Sequence, residues 1–267
     1  MQIPFYKYQG TGNDFVILDG MVTDHRLTTE QVALLCDRKF GIGADGLMIL
    51  APSEHTDFKM VYYNSDGNQS TMCGNGGRCI VKFAQHQGYI DSSTTFEAID
   101  GKHRAKILEN GIVELEMINV ESVECNDPVY VLDTGSPHYI RFAGSEDLDI
   151  VEFGKSIRYG EQYKAEGINV NLVQEEADGI SIKTYERGVE DETLSCGTGV
   201  TAAAISSVIK SDKMGEQRVA VKAVGGELYV RLDRNGEQLF KNIWLCGPAE
   251  QVYEGAFLLS GSKGNKY

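Results

Sequence analysis

The chain has 267 residues, of which 42% are hydrophobic, and a formal net charge of −14 at pH 7. This length suffices for one large or two medium domains, and the acidic balance argues against a nucleic-acid partner, which needs a basic surface. No run of about 18 apolar residues occurs, and the start lacks the pattern of a signal peptide. We therefore expect a cytoplasmic protein with no membrane partner.

The first elements are two strands and a capped helix. Residues 3–18 predict two strands joined by a turn at Gly10–Asp14, where glycine, asparagine and aspartate are typical turn residues. Thr28 and Gln31 have the spacing of a capping box. A helix from about Thr29 to Arg38 is therefore expected.

A glycine-rich segment follows this helix. Gly41–Gly46 matches the GxGxxG pattern, which binds dinucleotides when it follows a strand and opens a helix. Here it follows a helix and precedes a strand-like run, Leu47–Leu50. We interpret the segment as a turn.

The next landmark is a thiol followed by small residues. The phrase Met72–Gly76 comes after a predicted strand, Phe58–Tyr63, and before a predicted helix from about Gly76 to Gln87. Further on, Asn110–Gly111 is a hairpin signal before a strand at Ile112–Glu116. The first half of the chain thus ends in strands.

The second half repeats these landmarks at an offset of 123 to 125 residues. Thr134–Gly135 corresponds to Thr11–Gly12, Ser195–Gly199 to the first thiol phrase, and Asn235–Gly236 to Asn110–Gly111. A helix-like segment, Leu148–Arg158, and a strand-like one, Ser181–Tyr185, also recur in order. A period this long indicates a duplicated domain rather than a solenoid.

The repeat predicts an α+β fold with two pseudo-symmetric domains. Each is expected to be a curled, mostly antiparallel sheet around a central helix, with the active site in the cleft between the domains. The expected domains are residues 1–117, joined by about 255–267 at the end of the chain, and residues 118–254.

The two thiols at matched positions suggest acid–base chemistry. Cys73 and Cys196 each precede a helix, where unpaired N–H groups and the helix dipole favour a thiolate. A helix start also binds carboxylates. Two such thiols suit inversion at an α-carbon, with one removing a proton and the other delivering one to the opposite face.

Other uses of the cysteines are less consistent with the sequence. A redox dithiol predicts a CxxC motif or a resolving thiol, and neither is present. The histidines form no HExxH motif, so no metal is expected, and no lysine is marked for pyridoxal phosphate, so no cofactor is expected. A non-catalytic binding protein stays open. The remaining cysteines are assigned to packing: Cys36, Cys79, Cys125 and Cys246.

Five motifs together resemble the diaminopimelate epimerase family. They match in order along the whole chain: Gly12–Phe15, Asn64–Gly67, Met72–Gly76, Tyr185–Gly188 and Cys196–Gly199. The resemblance implies a cofactor-independent isomerase that interconverts LL- and meso-diaminopimelate for lysine and peptidoglycan synthesis. It also implies a possible homodimer.

The resemblance also implies a role for each matched residue. Cys73 and Cys196 would be the two acid–base residues, assisted by His138 and Glu186. The N–H groups of the two helix starts would hold the reacting carboxylate, and the other side chains would bind polar groups of the substrate. The implied substrate-binding residues are Asn13, Asn64, Gly74, Asn75, Asn169, Glu186, Arg187, Gly197 and Thr198.

Some positions depart from the family pattern. Ser136 stands where the family often has Asn, and Gly46 where it often has Gln, which bears on recognition of the distal end of the substrate. Glu190–Glu192 is interpreted as an acidic, solvent-facing loop end. The alternative family, proline or hydroxyproline racemases of the same architecture, has histidine in the first thiol phrase, where this chain has Asn75.

Overall fold

The structure is a computed structural model that describes residues 2–144, 146 and 148–259. The chain divides into two compact units, one built from the residues up to Leu108 and from Ala249 onward, the other from Glu109–Pro248. The expected domain limits at residues 117 and 254 stay a prediction. Of the segment expected to return to the first domain, residues 260–267 lie outside the described part.

The first unit begins with six strands and two helices. The strands are β1 (Gln2–Gly10), β2 (Asn13–Asp19), β3 (Gly46–Ala51), β4 (Phe58–Asn64), β5 (Ser93–Ala98) and β6 (Gly101–Ile107), and the helices are α1 (Thr29–Cys36) and α2 (Gly74–His86).

Pairing within the first unit alternates in direction. β1 pairs antiparallel with β2, β3 with β4, and β5 with β6. β2–β3 and β4–β5 are parallel pairs. A parallel pair needs a long crossover connection, and α1 and α2 provide these two crossovers.

The second unit contains ten strands and two helices. The strands are β7 (Val113–Glu116), β8 (Val123–Asn126), β9 (Val129–Asp133), β10 (Pro137–Phe142), β11 (Asn169–Glu176), β12 (Gly179–Glu186), β13 (Asp191–Thr193), β14 (Gly215–Ala223), β15 (Gly226–Arg234) and β16 (Phe240–Gly247), and the helices are α3 (Ile150–Arg158) and α4 (Gly197–Lys210).

The second unit repeats the pairing of the first. β9–β10, β11–β12 and β14–β15 are antiparallel, whereas β10–β11 and β12–β14 are parallel across α3 and α4. Even the register recurs: Phe15 lies opposite Gly46, and His138, 123 residues later, lies opposite Asn169. The sequence repeat is therefore a repeat of topology. The predicted α+β class is confirmed, although the parallel pairs were not predicted.

The final strand, β17 (Glu250–Leu258), returns to the first unit. It pairs antiparallel with β1, from Gln2 opposite Leu258 to Gln9 opposite Glu250. The last residue described, Leu259, is buried in the hydrophobic core under β1 and β2 together with Ile3. β17 thus adds a strand to the sheet that β1 begins.

A central helix forms the core of each unit. Ten of the thirteen residues of α2 and ten of the fourteen residues of α4 are buried, which requires packing on nearly every side. α1 and α3 each bury only a few residues. Among the residues that the structure describes, no helix is long and apolar enough to cross a membrane.

Local signals place the helix starts well. The predicted capping box is present: the Gln31 backbone N–H donates to Thr28 Oγ1 at 3.3 Å, and the Thr28 N–H donates to Gln31 Oε1 at 2.9 Å. The helix ends at Cys36 rather than Arg38, because Asp37 leaves the helical conformation with a ψ of 126°. The glycine-rich segment 41–46 links this helix to β3, as the interpretation as a turn requires.

Candidate active site

Cys73 lies at the N-terminal cap of the central helix of the first unit. Its backbone is extended, with φ −97° and ψ 130°, and its carbonyl accepts the Gly77 N–H at 2.7 Å. Gly74, Asn75 and Gly76 precede this first bond along the helix, so their N–H groups belong to the end of the helix that attracts anions. The helix was predicted to begin at Gly76 and begins two residues earlier.

The Cys73 thiol faces the side chain of Asn13. Sγ lies 3.6 Å from Asn13 Oδ1, and the Asn13 amide nitrogen donates to Asp45 Oδ2 at 2.6 Å. Because a carboxylate only accepts hydrogen bonds, Asp45 fixes the orientation of the Asn13 amide. Its oxygen therefore points at the thiol.

A buried arginine orders the first turn of this helix. The Arg78 side chain is fully buried and donates to Asn75 Oδ1 at 3.0 Å, to Thr11 Oγ1 at 3.2 Å and to the Gly74 carbonyl at 3.3 Å. With its oxygen so used, Asn75 presents its amide nitrogen to Asn13 Oδ1 at 3.5 Å. Sequence reasoning did not single out Arg78; the signal available was a cation on a helix otherwise expected to be buried.

Charged side chains stabilise the residues that flank Asn13. Arg38 donates to both oxygens of Asp14, at 3.1 and 2.7 Å, and to Asp45 at 2.7 Å. Lys7, which is buried, lies 2.7 Å from Asp14 and also donates to the Gly43 carbonyl. Burial alone would raise the pKa of Asp14, but the bonds from Arg38 and Lys7 outweigh it and lower the pKa to about 2.

Replacing Asp14 by asparagine is expected to lower stability at pH 7 by about 1 to 2 kcal/mol. The pKa of Asp14 is about 2 in the folded chain and ordinarily 3.8, so its contribution is complete above about pH 4 and is lost as the pH falls towards 2. The difference in thermal unfolding temperature between the wild type and Asp14→Asn should therefore shrink as the pH falls from about 4 towards 2. Asp24→Asn is the control, since Asp24 pairs with Arg26 at the same 2.7 Å but in solvent. A difference between wild type and Asp14→Asn that stays constant down to pH 2 would contradict this account.

Two further predicted positions lie along the strands of this unit. Asn64 ends β4 opposite Gly46 on β3, and its side chain is exposed. Gly46 has no room for a side chain, because a Cβ would lie 2.6 Å from the Tyr62 ring and 2.7 Å from the Tyr63 carbonyl oxygen. The Tyr62 ring therefore occupies the space that a longer residue at position 46 would need.

Cys196 has the same place in the second unit as Cys73 in the first. It caps α4 with φ −116° and ψ 112°, and its carbonyl accepts the Val200 N–H at 2.9 Å. Gly197 and Thr198 begin the helix. The thiol lies 3.4 Å from Thr198 Oγ1, and the Thr198 carbonyl accepts from Thr134 Oγ1 at 2.8 Å.

His138 is fully buried beside this helix start. Its Nε2 lies 2.9 Å from Thr198 Oγ1 and 3.1 Å from Ser136 Oγ, and its Nδ1 lies 3.0 Å from the amide nitrogen of Asn171. Burial, together with the weaker effect of the positive charge of Arg187, lowers the pKa of His138 to about 3. The imidazole is therefore neutral near pH 7. Asn171, which sequence reasoning missed, is buried on β11.

Asn169 links three parts of the second unit. Its amide nitrogen donates to Ser136 Oγ at 3.1 Å and to the Pro137 carbonyl at 3.0 Å, and its oxygen accepts the Arg187 backbone N–H at 2.9 Å. The residue is almost fully buried. These bonds position Ser136 and the start of the loop after β12.

Glu186 ends β12, and Arg187 begins that loop. The Arg187 side chain is exposed and donates to the Glu166 carbonyl at 3.0 Å, whereas Glu186 is half-buried at the end of β12. The interpretation of Glu190–Glu192 as solvent-facing fits Asp191 and Glu192, which are exposed, but it is wrong for Glu190. Its carboxylate accepts from Tyr185 at 2.9 Å, from Tyr159 at 3.0 Å and from the Gly188 N–H at 3.1 Å, so Glu190 holds the loop in place.

The two sets of side chains are counterparts. Ser136 follows Asn13 by 123 residues, as Thr198 follows Asn75 and Cys196 follows Cys73. Within the first unit, the structure brings together Asn13, Cys73 and Asn75; within the second, Ser136, His138, Asn169, Thr198 and Cys196.

Comparison with known proteins identifies relatives along nearly the whole chain. The sequence profile described as diaminopimelate epimerase matches residues 5–123 and 130–252. The chain is 51% identical over 252 residues to a diaminopimelate epimerase of Flavobacterium psychrophilum, covering 93% of this chain and 98% of that one. It is 41% identical over 261 residues to a diaminopimelate epimerase of Chlorobaculum tepidum, covering 94% and 99%.

More distant solved structures share the fold. A PhzF-family phenazine biosynthesis protein of Bacillus anthracis superposes with a TM-score of 0.75 at 15% identity, covering 97% of this chain and all of that one. A probable proline racemase of Agrobacterium radiobacter superposes with a TM-score of 0.68 at 15% identity, covering 97% and 93%. At such identity the likeness concerns architecture alone.

Proposed function

The chain belongs to the diaminopimelate epimerase family, and from that premise we propose that it interconverts LL- and meso-diaminopimelate without a cofactor. The observation that carries the proposal is the pair of Cys-Gly helix starts at equivalent points of two repeated units. The strong identity to named epimerases over nearly their whole length supports the substrate. The product would serve lysine and peptidoglycan-precursor synthesis, in the cytoplasm.

The proposed reaction is a two-base inversion. One thiolate removes the proton from the α-carbon, and the electron pair of that C–H bond spreads into the adjacent carboxylate. The other cysteine then delivers its thiol proton to the opposite face of the carbon. Backbone N–H groups of Gly74, Asn75, Gly197 and Thr198 stabilise the added charge, because a helix start presents donors already oriented towards an anion.

The remaining polar side chains are proposed to bind the substrate. Arg187 is exposed, its backbone is held by Asn169 and its Nη1 donates to the Glu166 carbonyl, so the other N–H groups of its planar fork would bind a carboxylate. Glu186 would accept an ammonium group, and Asn64 and Asn13 would bind further polar atoms. The amide of Asn169 is engaged by the protein on both sides, which supports a contribution through the position of Arg187 and Ser136.

His138 is proposed to assist Cys196 rather than to titrate. It is buried and neutral, and it reaches the sulfur only through Thr198 among the contacts described for it. Glu186, the last residue of β12, is proposed as a second assisting residue.

A homodimer is also proposed. β17 pairs with β1 on one side, and it exposes Val252 and Tyr253 at 56% and 45% and Leu258 at 75%. An exposed apolar strand invites pairing with a second chain. Light scattering after gel filtration should give twice the chain mass of 29.4 kDa.

The decisive test is turnover in heavy water. Purified protein, kept reduced and given LL-diaminopimelate without pyridoxal phosphate, is expected to form the meso isomer with deuterium at the inverted α-carbon. Chiral chromatography and mass spectrometry measure both. A requirement for pyridoxal phosphate, or turnover of proline in place of diaminopimelate, would overturn the proposal.

A further inference from the structure

In the hydrogen-bond network around Cys196, the donor and the acceptor of each bond can be assigned by starting from backbone groups. The Tyr139 carbonyl accepts from the amide nitrogen of Asn171 at 3.2 Å, and the Asn171 oxygen accepts from Thr184 Oγ1 at 2.9 Å. A carbonyl can only accept, so the orientation of the Asn171 amide is fixed. Its nitrogen therefore donates to His138 Nδ1.

The bond from Asn171 determines which ring nitrogen of His138 carries the hydrogen. An Nδ1 that accepts carries no hydrogen, and a neutral imidazole then holds its one hydrogen on Nε2. Burial keeps the ring neutral, as the lowered pKa of His138 reflects. Nε2 therefore donates to Thr198 Oγ1, 2.9 Å away.

A second backbone group, the Arg187 N–H, sets the orientation of the Ser136 hydroxyl through Asn169. The Asn169 oxygen accepts the Arg187 backbone N–H, so the Asn169 nitrogen donates to Ser136 Oγ at 3.1 Å. The protonated Nε2 of His138 cannot accept the hydroxyl hydrogen of Ser136. Either hydroxyl of the Ser136–Thr198 pair can donate, and because Ser136 Oγ already accepts from Asn169 we assign the Ser136 hydrogen to Thr198 Oγ1, 3.1 Å away.

Thr198 Oγ1 thus accepts hydrogen bonds, and its own hydroxyl donates one to the sulfur of Cys196. With His138 and Ser136 both donating to Oγ1, the Thr198 hydroxyl hydrogen points at Cys196 Sγ, 3.4 Å away. A sulfur atom that accepts a hydrogen bond is favoured as thiolate, because hydrogen bonding to the charged form stabilises it.

The network around Cys73 has the opposite direction. Asp45 holds the Asn13 amide so that its oxygen faces the thiol, and Arg78 holds Asn75 so that its nitrogen donates to that oxygen. An amide oxygen can only accept. The bond between Cys73 Sγ and Asn13 Oδ1, at 3.6 Å, therefore requires a hydrogen on the sulfur.

The two sulfurs contact side chains from different positions of the repeat, because Asn13 corresponds to Ser136 and Thr198 corresponds to Asn75. Among the side-chain contacts described, Cys73 Sγ lies against the acceptor oxygen of Asn13, whereas Cys196 Sγ lies against the hydroxyl of Thr198. We infer that the resting enzyme holds its proton on Cys73 and keeps Cys196 as the thiolate. Thr198, His138, Ser136 and Asn171 are then positioning residues for the base.

This inference rests on the proposed function and assigns the first step of it. The Cys196 thiolate takes the α-proton to form an S–H bond, and Cys73 gives up its S–H proton to the opposite face, which leaves a thiolate there. Loss of one proton from Cys196 to water and gain of one by Cys73 restore the resting form. Among the contacts described, the charged or titratable groups near the Cys196 sulfur are His138 and Arg187. Those near the Cys73 sulfur are Asp45, Arg78, Asp14, Arg38, Cys79 and Asp100, which accepts from the Met72 backbone and pairs with His103.

The test is the pH profile of alkylation at each cysteine. The reduced, substrate-free protein is treated with iodoacetamide, and the modified peptides are counted by mass spectrometry from pH 5 to 10. The midpoint of each profile reports ionisation, whereas its plateau reports access. Cys196 is expected to have a midpoint at least one pH unit below that of Cys73, which corresponds to a tenfold larger thiolate fraction at low pH.

Variants test the relay, by which we mean the hydrogen-bonded series Asn171, His138, Ser136 and Thr198 that ends at Cys196. Thr198→Val removes the donor at nearly constant shape and should raise the Cys196 midpoint by half a unit or more, with that of Cys73 unchanged; Thr198→Ser should restore it. Thr201→Val is the matched control, since this hydroxyl on the same helix donates to the Gly197 carbonyl at 3.0 Å.

A midpoint for Cys73 equal to or below that of Cys196 in the wild type would overturn the inference, whatever the variants do. An unchanged midpoint in Thr198→Val would overturn the role of the relay. Alkylation needs no turnover, so the inference and the proposed function can fail separately. A protein with the expected midpoints that does not invert diaminopimelate would overturn the function alone.

Discussion

Replacing Cys73 or Cys196 by alanine is expected to lower the rate of diaminopimelate inversion by about 10³-fold or more, because each variant lacks the acid or the base for one face of the carbon. Neither thiol has a side-chain bond that caps its helix, so removal of either should leave thermal stability within about 1 kcal/mol. Chiral chromatography of the substrate over time measures the rate in both directions.

The matched control is Cys125→Ala. The assignment of Cys125 to packing is wrong, because Cys125 is exposed on β8, whereas Cys36, Cys79 and Cys246 are buried. Cys125 donates to the Val123 carbonyl of its own strand and belongs to no proposed site. Its variant should invert substrate at the wild-type rate. If both Cys73→Ala and Cys196→Ala kept rates within tenfold of wild type, the two-thiol mechanism would be wrong.

Gly199→Ala is expected to be far more damaging than Gly76→Ala, although the two glycines are counterparts in the repeat. A Cβ on Gly199 would lie 2.7 Å from Asn171 Oδ1 and 3.2 Å from His138 Cε1. Both atoms belong to a network tied to the backbone, so neither can move without breaking it. We expect a loss of about 2 kcal/mol and a fall in kcat/KM of about 100-fold.

At Gly76 the nearest atoms are the Met48 sulfur at 3.2 Å and the Met60 methyl at 3.5 Å. Methionine side chains adapt to small intrusions, and alanine favours the helix by up to about 1 kcal/mol over glycine. Gly76→Ala should therefore change stability by less than about 1 kcal/mol. Thermal unfolding and steady-state kinetics of the pair measure the difference; equal losses at both positions would contradict the packing argument.

Features set by neighbours in sequence were predictable. The Thr28–Gln31 capping box, the Asn235–Gly236 turn between β15 and β16, and the helix starts after both thiols all follow from local chemistry. The offset of about 123 residues located the repeat, and hence the pair of candidate catalytic thiols, from residue types alone.

Features set by distant partners were not predictable. Arg78 became part of the site because Thr11, 67 residues away, and Asn75 both accept from it. Glu190 was taken for a surface acid, yet two tyrosines and a backbone N–H converge on it. The parallel strand pairs also escaped prediction, since no short pattern records which strands meet across a helix.

The return of β17 to β1 has a consequence for biosynthesis. While the ribosome is adding residues 250–258, every strand described in the segment Glu109–Pro248 has already been synthesised, whereas β1 still lacks its partner β17. The second unit can therefore finish folding before the first unit, although it is synthesised later. A nascent chain that stalls before residue 250 leaves β1 of the first unit with an unpaired edge.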